Sequence, residues 1–242
     1  MVYKLFISVF VFLITGLGFG QNITIAEDDA SNYSPPTWDG SNNQGTGFGP
    51  WIFDISNPNG GSAGNFIGSF STELDINSKS FGLFANSADN TVSGVTKNFP
   101  KNLEIDDKFI VSVGVNFRDG AKGFDLRDSS NNTVINFNVG DSNNNGTETY
   151  TLQGTDLFGN VYDANTVITF TFTQNAGDVS WTAVRSGGLT GTESGTISAI
   201  NPGTIDNIRF YNVSAGTNDD GGGVRNMYFN SLKITSPYEL PP

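Results

Sequence analysis

The segment 71–77, STELDIN, carries two carboxylates whose spacing could support catalysis. We interpret this segment as a strand, in which Glu73 and Asp75 share one face while Leu74 and Ile76 share the other. A retaining glycosidase needs two carboxyl groups about 5–5.5 Å apart, one as the nucleophile and one as the acid. Neighbouring positions on one face of a strand give that separation, so the segment suggests sugar hydrolysis.

The segment lacks one member of such a site. It resembles the strand motif of retaining β-sandwich glycosidases, in which Glu-x-Asp is followed by a second Glu that protonates the leaving oxygen. Here that place falls on Asn77 or Ser78, and neither side chain can donate a proton and recapture it at working pH. We therefore expect an ordinary strand edge whose carboxylates lie in solvent.

The amino-acid composition excludes most other kinds of catalytic site. The 242-residue chain has no His and no Cys, which excludes Ser–His and Cys–His nucleophiles and removes the commonest ligands of tetrahedral zinc. The usual disulfide staple of secreted domains is missing as well. An enzyme on this chain would have to use Tyr, Arg, Asn or unpaired carboxylates, so the sequence leans away from catalysis.

A sugar-binding surface is the better supported use of the polar side chains. Sugar sites place amide, carboxylate and guanidinium groups around the hydroxyls and an aromatic ring against the apolar sugar face. If the strands that carry these groups are neighbours, their polar sides form one band across a sheet; the alternative is a merely solvated face. The candidates are Asn116, Arg118, Asp125, Arg127, Asn136, Asn138, Asn207, Arg209 and Tyr211.

The tryptophans divide between two environments. Trp38 and Trp51 lie in segment 21–65, which we expect to be loop-rich. A loop Trp can be a platform on which a sugar stacks or a plug at one end of a sandwich, and both remain open; Trp38 is the candidate platform. Trp181 alternates with polar residues in 179–183, so we expect it in the core.

A calcium site is suggested by oxygen-bearing side chains at alternate positions before Gly146, namely Asp141, Asn143 and Asn145. Alternate oxygens wrap the ion in a looped calcium site, and a Gly allows the sharp turn. The match ends at Leu152, where a Glu should stand, so a hairpin turn is the alternative. The oxygen-rich segments 27–32 and 218–223 could also join such a site. Calcium would be structural, and no cofactor is required.

Alternation with a period of two residues runs through most of the chain. Segments 108–117 and 167–173 place apolar residues on one face and polar residues on the other, and turn sequences rich in Gly, Asn and Asp separate such segments. Strands with one apolar face, and no helical pattern to cover a sheet, indicate two sheets packed face to face. We predict an all-β, two-sheet antiparallel jelly-roll sandwich, with a closed β-barrel as the alternative.

Several Gly- and aromatic-rich segments carry a resemblance to a known type of module: 45–51, 60–70, 79–87, 205–212 and 226–234. They are similar to an unnamed β-sandwich module of secreted bacterial proteins, which is sometimes appended to polysaccharide-degrading enzymes such as amylases. The strand rhythm also resembles that of concanavalin A-like and laminin-G-like sandwiches. The resemblance covers most of residues 27–236 and implies a sandwich of the glycan-binding kind, without supplying a catalytic residue.

The N-terminus predicts the compartment. One Lys precedes sixteen uncharged residues that end in small glycines, which is the pattern of a secretory signal peptide and is shorter than a membrane span of ~20 apolar residues. We expect residues 1–20 to be removed, 21–236 to form one domain, and 237–242 to be a short tail. The protein would then be secreted, at the cell surface or in the periplasm.

The net charge limits the kinds of partner that the protein can bind. With 24 Asp and Glu against 12 Lys and Arg, the net charge is −12, whereas nucleic acid and anionic lipid demand a basic surface. We expect a polysaccharide or cell-surface glycan as partner, no nucleic acid, and no membrane insertion after signal cleavage. The sequence favours a secreted, non-catalytic glycan-binding protein. The alternatives are a surface structural or adhesive protein, and a polysaccharide lyase or glycoside hydrolase on the same fold.

Overall fold

The computed structural model describes residues 22–34, 38–40, 43–58, 61–86, 90–115, 120–140, 150–215 and 225–237. Short 3₁₀ turns occur at Ala30–Asn32 and Phe158–Asn160, and within these ranges no helix has both the length and the apolar character needed to cross a membrane. The strands are β1 (Ile23–Asp28), β2 (Trp51–Ser56), β3 (Ala63–Gly68), β4 (Ser80–Ala85), β5 (Val92–Asn98), β6 (Lys108–Val115), β7 (Ala121–Arg127), β8 (Thr133–Val139), β9 (Tyr150–Leu152), β10 (Thr155–Asp156), β11 (Val167–Gln174), β12 (Asp178–Ser186), β13 (Gly191–Ser198), β14 (Asn207–Val213) and β15 (Met227–Ser236).

The strands form two antiparallel sheets. Sheet A has eight strands in the order β13-β12-β11-β6-β15-β4-β3, with β1 also paired to β15. The register of β15 against β6 shifts between Asn230 and Lys233. Residues 227–229 of β15 pair with β4, and residues 232–236 pair with β1. Sheet B has seven strands in the order β10-β9-β8-β7-β14-β5-β2.

Each sheet is open in the described part of the chain, because its outermost strands pair on one side only. Two open antiparallel sheets that enclose one core are the architecture of a sandwich. The predicted jelly-roll sandwich is therefore confirmed, and the closed-barrel alternative is wrong.

The core lies between the sheets and is built from the apolar side of each strand. Phe170 of sheet A packs 4.7 Å from Phe137 of sheet B, and Phe229 of sheet A lies 3.7 Å from Phe210 of sheet B, measured between ring centroids. All four side chains are fully buried. The inward faces that alternation predicts for β6 and β11 are confirmed, since the core includes Phe109, Val111, Val113 and Val115 of β6 and Ile168, Phe170 and Phe172 of β11.

The segment 21–65 contains three strands among its described residues, although we expected it to be loop-rich. β1 pairs with the last part of β15, while β2 and β3 are edge strands of sheets B and A. Within β2, Trp51 points into the core and Ile52 points into solvent. Each strand has only six residues, and the surrounding Gly- and Pro-rich sequence obscures such a short alternation.

Candidate functional site

Neighbouring strands of sheet B bring predicted sugar-binding side chains onto one outer face. β14 lies beside β7, and β7 lies beside β8. Asp125 pairs in register with Asn136 on one side and Arg209 on the other, while Gly123 lies between Asn138 and Tyr211. The condition for a polar band, that these strands be neighbours, is met. The polar band consists of Asp125, Arg127, Asn136, Asn138, Arg209 and Tyr211.

The polar band is internally hydrogen-bonded. Asn136 Nδ2 donates to Asp125 Oδ1 at 2.9 Å and to the Tyr211 hydroxyl at 3.0 Å. The Tyr211 hydroxyl donates to Asn138 Oδ1 at 3.1 Å. Arg127 forms an ion pair with Asp125 at 3.3 Å. Five of the six side chains of the polar band are thus held by one another, whereas Arg209 pairs with Asp54.

Burial raises the pKa of Tyr211 well above its usual value, and the nearby Asp125 carboxylate adds to the effect. Burial likewise raises the pKa values of Tyr33, Tyr150 and Tyr228. A tyrosine that acts as a base at neutral pH needs a depressed pKa instead. These four phenols therefore remain protonated at neutral pH.

A glycine allows Tyr211 to reach across the sheet. A side chain at Gly123 would overlap the carbonyl oxygen of Phe137, and its Cβ would lie 3.0 Å from the Tyr211 hydroxyl. Because position 123 has no side chain, the Tyr211 hydroxyl can extend over β7 to a distance of 3.2 Å from the Phe137 carbonyl oxygen on β8. The phenol thus links β14 to β8 across the strand between them.

A cleft of about 400 Å³ adjoins the polar band. Its floor is the outer face of β2, β5 and β14, and its walls come from the turn after β7 and the residue before β14. Arg127 and Arg209 belong to both the polar band and the cleft. The cleft adds carboxylates, amides and hydroxyls to these two guanidinium groups: Asp54, Thr96, Asn98, Ser129, Asn131, Asp206 and Asn207.

The turn after β7 is a rigid wall of the cleft. Asp128 organises it, since Oδ1 accepts from the backbone amides of Ser130 at 2.9 Å and Asn132 at 2.8 Å, and Oδ2 accepts from the Asn132 side chain. These hydrogen bonds, with that from the Asn132 side chain the largest contribution, lower the pKa of Asp128. The turn therefore holds Ser129 and Asn131 at fixed positions beside the cleft.

The Arg209 guanidinium lies flat on the floor of the cleft. It forms an ion pair with the exposed Asp54 at 3.1 Å and lies 5.9 Å from the Tyr211 ring. A Cβ at Gly94 would be 2.8 Å from its terminal nitrogen, so the absence of a side chain on β5 makes room for it. The ion pair with Asp54 uses one guanidinium nitrogen, whereas the whole group carries five N–H donors.

Two buried polar atoms at the cleft have no hydrogen-bond partner within the described ranges, Arg127 Nε and Asn207 Oδ1. Asn207 is 1% exposed, and its amide nitrogen is already engaged with the Asp128 carbonyl at 3.2 Å. An unmade hydrogen bond to a buried group costs roughly 1–3 kcal/mol. One atom is a donor and the other an acceptor, and a hydroxyl group can satisfy either kind.

Trp38 is a plug and not a sugar platform. It is 1% exposed and packs against Trp51, Phe53 and Phe81, with ring centroids 5.3, 5.4 and 4.6 Å away. A ring with no exposed face cannot stack on a sugar, so the platform role proposed for Trp38 is corrected. Trp181, expected in the core, is partly buried and packs against it.

Other predicted site residues lie outside the described part of the chain. This applies to Asn116 and Arg118, to the calcium candidates Asp141, Asn143 and Asn145, and to segment 218–223. Segment 27–32 is described: Asp28 binds Lys97, and Asp29 accepts from Ser31 N at 2.8 Å. Among the described residues, no group of three or more His, Cys, Asp or Glu side chains is arranged to hold a metal.

The segment 71–77 is a turn, and the strand that we predicted there is wrong. The amides of Leu74 and Asp75 both donate to the Ser71 carbonyl, at 3.1 and 2.8 Å, which makes one helical turn. Glu73 is exposed, and hydrogen bonds from its own backbone amide and from Ser71 lower its pKa. The two carboxylates share no strand face, so the carboxylate pair considered for hydrolysis is not formed.

The end of this segment explains why the strand does not continue. Asn77 and Ser78 have φ values of 52° and 61°, and Ile76 and Lys79 on either side exchange backbone hydrogen bonds of 3.0 and 3.1 Å. Positive φ at both central residues is the conformation of a tight two-residue hairpin turn, for which Asn is well suited. The place where a glycosidase would carry its second Glu is thus a reversal of the chain.

Sequence reasoning missed several residues of the cleft. Asp54 lies on β2, inside the segment that we expected to be loop-rich, and its alternation with Trp51 and Phe53 was a usable signal. Asn131 and Asp206 lie in turns, where no periodicity marks a side chain as part of a site. Only the pairing of β14 with both β5 and β7 brings them together.

The similarity of this chain to known proteins is limited to solved structures of low sequence identity. No family model matches the sequence, and no curated protein is similar to it. Solved structures similar to this chain include a cellulose-induced protein, Cip1 (12% identity, 86% of this chain, 95% of the other, TM-score 0.45). Others are a GH131 β-glucanase catalytic domain from Podospora anserina (10%, 73%, 80%, 0.44) and a Lotus tetragonolobus seed lectin (13%, 89%, 100%, 0.44). We therefore infer the role of the cleft from its own side chains.

Proposed function

We propose that this protein binds a glycan through the cleft on the outer face of sheet B and catalyses no reaction there. The observation that carries the proposal is a pair of buried atoms, Arg127 Nε and Asn207 Oδ1, that have no hydrogen-bond partner among the described residues and lie beside a cleft lined with guanidinium, amide and carboxylate groups. Such groups can form paired hydrogen bonds with adjacent hydroxyls, and a sugar presents several hydroxyls on one ring.

The size and rigidity of the cleft support the proposal. Ligand sites commonly have volumes of ≈ 300–1,000 Å³, and the cleft has about 400 Å³. The turn that forms one wall is held by the Asp128 hydrogen bonds, and the floor of the cleft is formed by paired strands of sheet B. A ligand would therefore meet side chains that are already ordered, which lowers the entropic cost of binding.

Glycan-array screening of the full chain, followed by calorimetry with the selected polysaccharide, tests this proposal. Arg209→Ala removes a guanidinium from the cleft floor. Truncation of a hydrogen-bonded charge in a binding site costs about 2 kcal/mol or more, so we expect affinity to fall about thirty-fold. Lys108→Ala is the matched control, because Lys108 is a cation on the outer face of sheet A. Failure to bind any polysaccharide would sink the proposal.

We also propose that the protein is secreted and that Asp141, Asn143 and Asn145 bind a structural Ca²⁺. The leader composition and the alternate oxygen ligands support these two points. Secretion predicts that protein recovered outside the cell begins near Gln21. The calcium site predicts a lower melting temperature in EDTA, restored by added Ca²⁺; a melting temperature insensitive to EDTA would remove calcium from the account.

A further inference from the structure

A polar cluster between the sheets brings together an amine, a carboxylate and a carboxamide. Lys97 of β5 and Asp28 at the end of β1 have side chains with no exposed surface, and Lys97 Nζ lies 2.8 Å from Asp28 Oδ2. Lys97 Nζ also donates to Asn43 Oδ1 at 2.6 Å. Lys97 alternates with Thr96, whose side chain faces the cleft, so the amine points into the core.

Aromatic side chains enclose this cluster. The Tyr33 hydroxyl donates to Asp28 Oδ2 at 2.9 Å and accepts from Trp51 Nε1 at 3.0 Å. The Trp51 ring centroid lies 4.4 Å from Lys97 Nζ. A Cβ at Gly45 would be 2.7 Å from that of Asp28, so only a residue without a side chain lets the loop 43–50 lie on the carboxylate.

The arrangement of Lys97, Asp28 and Asn43 could support a reaction as well as an ion pair. A buried ion pair is paid for in lost hydration and adds little net stability unless both ions are fully hydrogen-bonded, yet Asp28 Oδ1 has no partner among the described residues. Burial lowers the pKa of Lys97, although the Asp28 carboxylate opposes the shift. A desolvated lysine amine that has lost its proton is a nucleophile, and the carbonyl carbon of Asn43 is one bond beyond the oxygen it contacts.

We propose that Lys97 and Asn43 form an intramolecular isopeptide bond, with Asp28 carrying the protons. Lys97 Nζ passes a proton to Asp28, and the free amine attacks Asn43 Cγ after rotation of the Asn43 carboxamide. Asp28 protonates the Nδ2 nitrogen and removes the remaining extra proton from Nζ. The Cγ–Nδ2 bond breaks and ammonia leaves with that proton as ammonium. The products are one secondary amide, one ammonium ion and the Asp28 carboxylate; nothing is oxidised or reduced.

The bond would fasten β5 of sheet B to the loop that precedes β2. The chain has no Cys, so an amide between positions 43 and 97 is a covalent staple available without a disulfide. A cross-link restricts the unfolded chain in the same way as a disulfide does. It also holds the edge strand β2, which carries Asp54, against its neighbour β5.

Mass spectrometry of the purified full chain tests the proposal. We expect a mass lower by one ammonia than the sequence predicts. Because an N-terminal Gln at position 21 can also lose ammonia, the change must be located by peptide mapping. The expected result is loss of tryptic cleavage after Lys97 and a linked peptide pair that joins residues 43 and 97. An unlinked pair of peptides from folded protein would overturn the proposal.

Two variants assign the roles. Asn43→Asp keeps the acyl group but has hydroxide instead of ammonia as its leaving group, so a linked product would lose one water instead of one ammonia. Asp28→Asn removes the proton carrier and should leave the peptides unlinked. A water loss in the unmodified sequence, with Lys97 joined to Asp28, would contradict the role given to Asn43. If Asp28→Asn fails to fold, the peptide map of the unsubstituted protein still decides the question.

Discussion

Both outer faces of the sandwich are formed by the polar positions of alternating strands, but the two faces carry different kinds of polar side chain. On sheet A, β11 presents Thr169, Thr171 and Thr173, and the Thr169 hydroxyl forms a hydrogen bond of 2.8 Å with the Ser112 hydroxyl. On sheet B, the corresponding positions carry the carboxylate, amide and guanidinium groups of the polar band. Threonine favours strands for its shape, whereas Asn and Asp do not, so strand propensity does not account for the polar residues of sheet B.

The faces also differ in how their glycines are used. On sheet A, Phe66 lies over Gly82 and Phe70 over Gly114, and a Cβ at Gly114 would lie 2.6 Å from the Phe70 ring. These rings, with buried Leu74 and Tyr228, form a second small apolar cluster. On sheet B, the group over Gly94 is the Arg209 guanidinium. Sheet A uses its glycines for packing, and sheet B uses one to seat a charge at the cleft.

The largest effect should come from Trp38→Ala, which tests whether core and binding face are separate. Removing a fully buried Trp leaves a cavity and costs about 3–5 kcal/mol of unfolding free energy, measurable by urea denaturation. The glycan affinity of the folded fraction should not change. A loss of affinity with unchanged stability would restore Trp38 as a sugar platform.

The paired substitutions Gly82→Ala and Gly94→Ala sharpen the contrast between the sheets. At Gly82 the new methyl group meets the Phe66 ring, and overpacking of this kind costs about 1–3 kcal/mol. At Gly94 it meets the flexible end of Arg209, so stability should fall less and glycan affinity should fall about ten-fold. Urea midpoints and calorimetry on both variants measure the two effects; the reverse pattern would refute the assignment of roles.

Tyr211→Phe and Tyr228→Phe compare a buried phenol from each face at high pH. Burial raises both folded-state pKa values, so each phenol stabilises the fold below the unfolded pKa of about 10. That stability is lost as pH rises from there through the folded pKa, because only the unfolded chain ionises easily. Urea midpoints between pH 7 and 11 should fall less steeply in each Phe variant. Identical slopes in all three proteins would show that neither phenol is protected.

The smallest effect should come from Thr171→Ala on sheet A. Surface substitutions away from special features stay within about 0.5 kcal/mol, and Thr171 has no part in the cleft. Neither the melting temperature nor the glycan affinity should change measurably. A clear loss of affinity would place the binding face on sheet A and remove the contrast between the sheets.

Alternation predicted much of the sandwich and of the polar band, since Asp125, Asn136 and Arg209 each occupy the polar side of a regular strand. It could not predict the cleft, because the neighbours of β14 are fixed by pairing of strands far apart in sequence. It failed at 71–77, where Leu74 and Ile76 mimic a strand but the positive φ of Asn77 turns the chain. Periodicity also left Trp38 open, because its burial depends on rings from both sheets.

Backbone amide shift mapping tests the central claim most directly. The full chain would be titrated with the tightest-binding glycan from the array, and shifts recorded across both sheets. Binding in the cleft predicts the largest shifts at 128–132 and 207–211, with the Thr row of β11 unchanged. Shifts confined to sheet A, or no shifts with any glycan, would contradict a binding cleft on sheet B.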